Sequence, residues 1–206
     1  MKIQKVCAAL ANLILLTSSA QERMINFEGD TIGFKSNNFS SVSESNVRFT
    51  DTNGTDLYVG DFSEAVGQGL AVFNDDASRL LINFGRAAGS LSLTFGNDDA
   101  CCSTAGDRAW LQLFNGLTSV GLVSVEMNRD DLPNQVISAS GVAFDSALFW
   151  YGNSTGATIN LIEVVDNIDY TDAAAAVPEP ASLALFGLGF AGLAALRRRQ
   201  IARGSL

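Results

Sequence analysis

Carboxylates and one pair of cysteines are the side chains here that could do chemistry, because none of the 206 residues is histidine. Without an imidazole there is no Ser-His-Asp triad, no Cys-His dyad and no His-built zinc site. Two carboxyl groups about 5–5.5 Å or 6.5–9.5 Å apart suffice for glycoside hydrolysis, and Glu126 and Glu163 fall in segments expected to be strands. That supports one reading, a small secreted hydrolase working with carboxylates alone. Acidic loops also suit Ca²⁺, which takes only oxygen ligands. Asn97-Asp98-Asp99 is such a loop, as are the doublets Asp75-Asp76 and Asp130-Asp131. The same residue types favour turns for local hydrogen-bonding reasons, so an irregular exposed turn competes with a metal loop at 97–99.

Trp110, Trp150 and Tyr151 have the faces needed to stack on sugar rings. Trp150 and Tyr151 are adjacent, so on a strand one points inward and the other outward. An exposed aromatic beside Asn153, Ser154 and Thr155 makes this pair a candidate glycan contact, with packing in the core as the alternative. Cys101 and Cys102 are consecutive and cannot form an ordinary cross-strand disulfide. A vicinal disulfide, a bond to another chain or two loop thiols all stay open.

The elements that position these groups read as strands. Leu91, Leu93 and Phe95 alternate with Ser90, Ser92 and Thr94, and Asn115-Gly116 makes a hairpin turn into residues 117–127. Further strands are predicted at 24–28, 47–50, 79–84, 135–140, 147–151 and 158–170, the last broken near Asp166. No amphipathic helix is evident among them. About ten turn-spaced strands predict an all-β fold, an antiparallel β-sandwich of jelly-roll type over residues 21–172.

The two ends are of another kind. Residues 1–20 have the form of a secretory signal peptide: Lys2 and Lys5, an apolar run over 6–16, then Ser18-Ser19-Ala20. At the other end, residues 173–180 form a linker with Val177-Pro178-Glu179-Pro180. Residues 181–196 are apolar apart from Ser182 and read as a transmembrane helix, and a basic tail, 197–206, opens with Arg197, Arg198 and Arg199. Arginines are retained on the cytoplasmic side, which leaves the sandwich outside. Residues 21–176 carry seven cations against 21 acids, a net charge of −14. Such a body is repelled by phosphate backbones, so no nucleic-acid partner is expected.

The Val177-Pro178-Glu179-Pro180 motif, the Gly-rich segment with Gly187, Gly189 and Gly192, and the terminal arginines resemble the PEP-CTERM sorting domain, a tail also known as the ice-binding protein C-terminal domain. The resemblance implies a Gram-negative exporter of exopolysaccharide. It also implies secretion machinery and an exosortase as partners, with a transient inner-membrane anchor before release to the envelope or exterior. The body is similar to lectin-like jelly-roll modules at Ile25-Asn26-Phe27-Glu28-Gly29 and Val165-Asp166-Asn167-Ile168-Asp169. That resemblance implies a structural calcium between Glu28 and Asp166, the sole cofactor suggested. Solvated strand-end acids are the alternative, since two carboxylates fall short of six to eight oxygens. The combined expectation is a non-catalytic envelope or matrix protein, glycan-binding or structural in exopolysaccharide or biofilm.

Overall fold

The computed structural model describes residues 21–63 and 67–173. Period-two alternation sets its strands. In β3 (Val47–Asp51), Val47, Phe49 and Asp51 turn inward while Arg48 is exposed. In β6 (Leu80–Gly96), Leu91, Leu93 and Phe95 do the same. The others are β1 (Glu22–Ile25), β2 (Gly33–Lys35), β4 (Leu57–Ser63), β5 (Gly67–Val72), β7 (Arg108–Asn115), β8 (Thr118–Glu126), β9 (Gln135–Gly152) and β10 (Glu163–Asp172). All pairings are antiparallel, in the order β2-β4-β5-β10-β6-β9-β7-β8, with β1 added to β10 and β3 to β6. Among the described residues no helix is long and apolar enough to cross a membrane. The signal peptide (1–20), most of the linker (174–180), the helix expected at 181–196 and the basic tail (197–206) lie outside the described residues.

Two long strands turn the sheet into a sandwich. The first half of β6 pairs with β3 and with residues 146–149 of β9; its second half pairs with β10 and with residues 135–140. Register slips between Asn83 and Ser90 mark the bend, as bulges do. The four strands predicted at 79–84, 91–95, 135–140 and 147–151 are therefore two, each crossing from one layer to the other. The layers meet through aromatics. Phe84 lies opposite Val47, yet its ring is 5.0 Å from that of Tyr170, which pairs with Leu91 in the other layer. Phe95 and Phe149 close the other end at 5.8 Å. Each such fully buried side chain contributes about 1.5–3 kcal/mol, so this shared cluster is what holds the layers together.

Other boundaries also moved. The first strand ends at Ile25 instead of residue 28, and the last begins at Glu163 instead of residue 158. The irregularity expected near Asp166 is present as a register shift between Asp166 and Asp169. The hairpin at Asn115-Gly116 is present, with Asn115 opposite Thr118 and Gly116 at φ 59. Strands β2, β4 and β5 had no counterpart in the sequence reading. Glycines interrupt their alternation, and Gly69 is needed because a Cβ there would lie 3.1 Å from the Val165 carbonyl oxygen.

Candidate functional site

The outward face of β1, β10, β6 and β9 carries two rows of side chains, all polar but Met24. Glu22, Thr171, Ser90 and Ser140 stand opposite one another across the four strands. Two residues along, Met24, Asp169, Ser92 and Ser138 form a second row. The intervening Leu91 and Tyr170 are buried on the core side, so strand parity alone sends the serines outward. All but Met24 line a groove of about 530 Å³ with Val123 of β8 at its lip. Ser90 and Thr171 share a hydroxyl hydrogen bond of 2.7 Å. Asp169 has its carboxyl raised by burial and by the charge of Glu22. Hydroxyls that both donate and accept, spaced one strand apart, suit a polyhydroxylated ligand. The sequence showed this face only as the Ser/Leu alternation of 90–94.

Glu28 and Asp166 do come within electrostatic reach of each other. Glu28 is exposed and accepts the Gln68 N–H at 3.0 Å. Asp166 is 2% exposed; its Oδ2 accepts from Asn167 Nδ2 at 2.8 Å, and its Oδ1 is buried without a partner. Burial raises this carboxyl to about 6, Asn167 pulls it back, and Glu28 adds to the rise. An orphaned buried carboxylate oxygen beside a second carboxylate fits a hard cation.

The aromatic pair requires a correction, because neither residue is exposed: Trp150 is 4% and Tyr151 0% accessible. Tyr151 points inward as parity demands, between Phe95 and Phe149, and its hydroxyl donates to the Gly96 carbonyl. Trp150 points outward but is covered. Trp110 stacks on it at 6.1 Å and 12°, the Arg79 guanidinium sits 4.4 Å from its ring, and its Nε1 donates to the Gly156 carbonyl. Cross-strand and loop partners thus occupy the surface that a sugar would need.

The loop at 97–99 also differs from the exposed turn expected. Asp98 is wholly buried, its Oδ2 accepting the Arg129 N–H at 3.1 Å, while Asn97 sits at φ 64 and donates to the Ile162 carbonyl. Cys101 and Cys102 form a vicinal disulfide. Although Asp99 lies beside both sulfurs, bonded cysteines offer no thiolate to a metal. The hydrolase pair is not assembled as a site. Glu163 is fully buried, with its carboxyl driven well above the usual range by desolvation, whereas Glu126 is exposed on β8. A carboxyl with no access to solvent cannot meet a substrate.

Comparison with known families finds that residues 176–199 match the PEP-CTERM protein-sorting motif. That motif marks an exported protein processed at the envelope. No curated protein matches the chain. Among solved structures, the tandem CBM22 domains of Paenibacillus barcinonensis Xyn10C share 12% identity over 81% of this chain and 49% of theirs, with a TM-score of 0.49. A family 29 carbohydrate-binding module shares 10% over 80% and 98%, with a TM-score of 0.40. The CBM22-1–GH10 modules of Clostridium thermocellum Xyn10B share 12% over 76% and 29%, with a TM-score of 0.41. Likenesses this remote assign no ligand.

Proposed function

We propose that this chain is a non-catalytic envelope protein of a Gram-negative bacterium, whose sandwich contacts neutral exopolysaccharide after exosortase releases it from the inner membrane. Residues 1–20 direct export. Residues 181–196 hold the chain in the membrane with Arg197, Arg198 and Arg199 inside, and exosortase acts near Val177-Pro178-Glu179-Pro180. The observation that carries this reading is the sorting-motif match at residues 176–199. The groove bearing Ser90, Ser92, Ser138 and Ser140 supplies the polysaccharide contact. Glu22 and Asp169 on the same face disfavour an acidic polymer. A calcium ion between Glu28 and Asp166 would tie the segment that follows the first strand to the last strand, using the unpartnered Asp166 Oδ1. Membrane fractionation tests the reading. Replacing Pro178, Glu179 and Pro180 with alanine should leave unprocessed chain in the inner membrane, and unchanged release would refute it.

A further inference from the structure

A second group of acids lies at the sandwich end where the loops after β3 and β5 meet. Asp51 closes β3, Asp56 precedes β4, Asp76 and Ser78 sit in the loop before β6, and Glu163 opens β10. Three of the four carboxylates follow one pattern, in which a backbone N–H fixes one oxygen and leaves the other bare. Asn53 N–H donates to Asp51 Oδ1 at 2.9 Å, Asn74 N–H to Asp56 Oδ2 at 3.0 Å, and Tyr151 N–H to Glu163 Oε1 at 3.3 Å. Asp51 Oδ2, Asp56 Oδ1 and Glu163 Oε2 are buried with no hydrogen-bond partner. Asp51 is 2% exposed, Glu163 and Ser78 are fully buried, and the Ser78 hydroxyl beside Asp51 is also unpartnered.

The bare oxygens of Asp51 and Asp56 face each other over Gly54. A Cβ on that glycine would fall 2.9 Å from Asp56 Oδ1 and closer still to Asp51 Oδ2. Asn37 holds the loop in this shape, donating to the carbonyls of Asp51 and Gly54 and accepting the Asp51 N–H. Among the described residues, no ion pair reaches any of these acids. Arg79, three positions after Asp76, is spent on the Trp150 ring, and Arg48, three before Asp51, donates to the Ser40 hydroxyl. Buried carboxylates without a counter-charge are costly, and here their free oxygens point to a missing cation.

We propose that Asp51, Asp56 and Ser78 form a calcium site distinct from Glu28 and Asp166, with Asp76 supplying further negative charge around it. No three of these carboxylates converge within reach of one ion. Asp51 and Asp56 are therefore the direct ligands, with the Ser78 hydroxyl and water completing the shell. An all-oxygen set without His or free Cys excludes a zinc-type site, and a set fixed by backbone N–H groups suits Ca²⁺ better than Mg²⁺, which demands an octahedral shell of its own waters. The site would lock the loops after β3 and β5 to each other.

Calcium binding to the full chain, measured by equilibrium dialysis after EDTA stripping, tests this. Glu28→Gln removes the first site while leaving this one. The Glu28→Gln chain should keep one calcium, and adding Asp56→Asn should weaken its binding at least tenfold. Melting in EDTA guards against misfolding, since Asp56→Asn relieves repulsion with Asp51 and should leave the metal-free melting temperature unchanged or higher. If the Glu28→Gln chain binds no calcium, or if Asp56→Asn binds as tightly as its parent, the site does not exist. Loss of calcium from Asp166→Asn alone speaks to the first site and leaves this inference standing or falling on Asp56.

Discussion

Glu28 stands within electrostatic reach of Asp166, whose buried carboxyl is held up at about 6 and whose Oδ1 has no hydrogen-bond partner. An unfolded aspartate titrates near 4. Between about pH 4 and 6 the folded, calcium-free chain therefore keeps a proton that the unfolded chain releases. Stability then falls as pH rises through that window and levels off above it. In EDTA the chain should melt at a higher temperature at pH 4.5 than at pH 7, with Asp166 contributing up to about 3 kcal/mol. Asp166→Asn should reduce the slope, leaving the share of the other raised carboxyls; a slope as steep as that of the parent would show that Asp166 is not a cause.

With calcium present the sign reverses, because only the ionised carboxylate is a good ligand. At pH 7 calcium should raise the melting temperature of the parent chain, and by less in Glu28→Gln. No difference between the two would reduce Glu28 to a surface acid.

Burial of the Trp110–Trp150 stack makes a different demand. Trp150→Ala removes the indole under Arg79 and should cost about 3 kcal/mol in urea denaturation. The same substitution should leave polysaccharide retention unchanged under conditions where the variant is folded. Selective loss of retention would restore Trp150 as a sugar contact.

Filling the groove should do the reverse. Ser92→Trp places a bulky ring on the polar face next to Asp169 and Ser138. Polysaccharide retention should drop about tenfold while stability, with Ser92 half-buried on the outer face, changes by about 1 kcal/mol or less. Retention equal to the parent's would move the binding surface elsewhere.

The vicinal Cys101–Cys102 bond closes the shortest loop that a disulfide can, so its chain-entropy effect is on the order of 1 kcal/mol. Dithiothreitol should barely move the melting temperature. A drop of ten degrees would mean that the bond organises the neighbouring Asp98 loop.

The sequence disclosed those features that are local. Alternation at Leu91, Leu93 and Phe95 marks a strand, and Asn115-Gly116 marks a hairpin, because each signal sits within a few residues. Parity predicted that one of Trp150 and Tyr151 turns inward and the other outward, yet the outward one, Trp150, is covered by Trp110 and Arg79, which are 40 and 71 positions away in sequence. Asp98 is buried by the N–H of Arg129, again a distant partner. The bend in β6 was hidden because the register shifts that make it, between Asn83 and Ser90, appear only against β9, a strand distant in sequence. Asp51 and Asp56 flank one short loop, but Ser78 and Glu163 come to that end of the sandwich only in the fold.

Mass spectrometry of the mature C-terminus tests the central claim most directly. The chain is expressed in a Gram-negative host with and without its exosortase. With the enzyme, the exported protein should end close to Val177-Pro178-Glu179-Pro180 and lack residues 181–206. A product that still ends at Leu206 in the presence of exosortase would contradict the account.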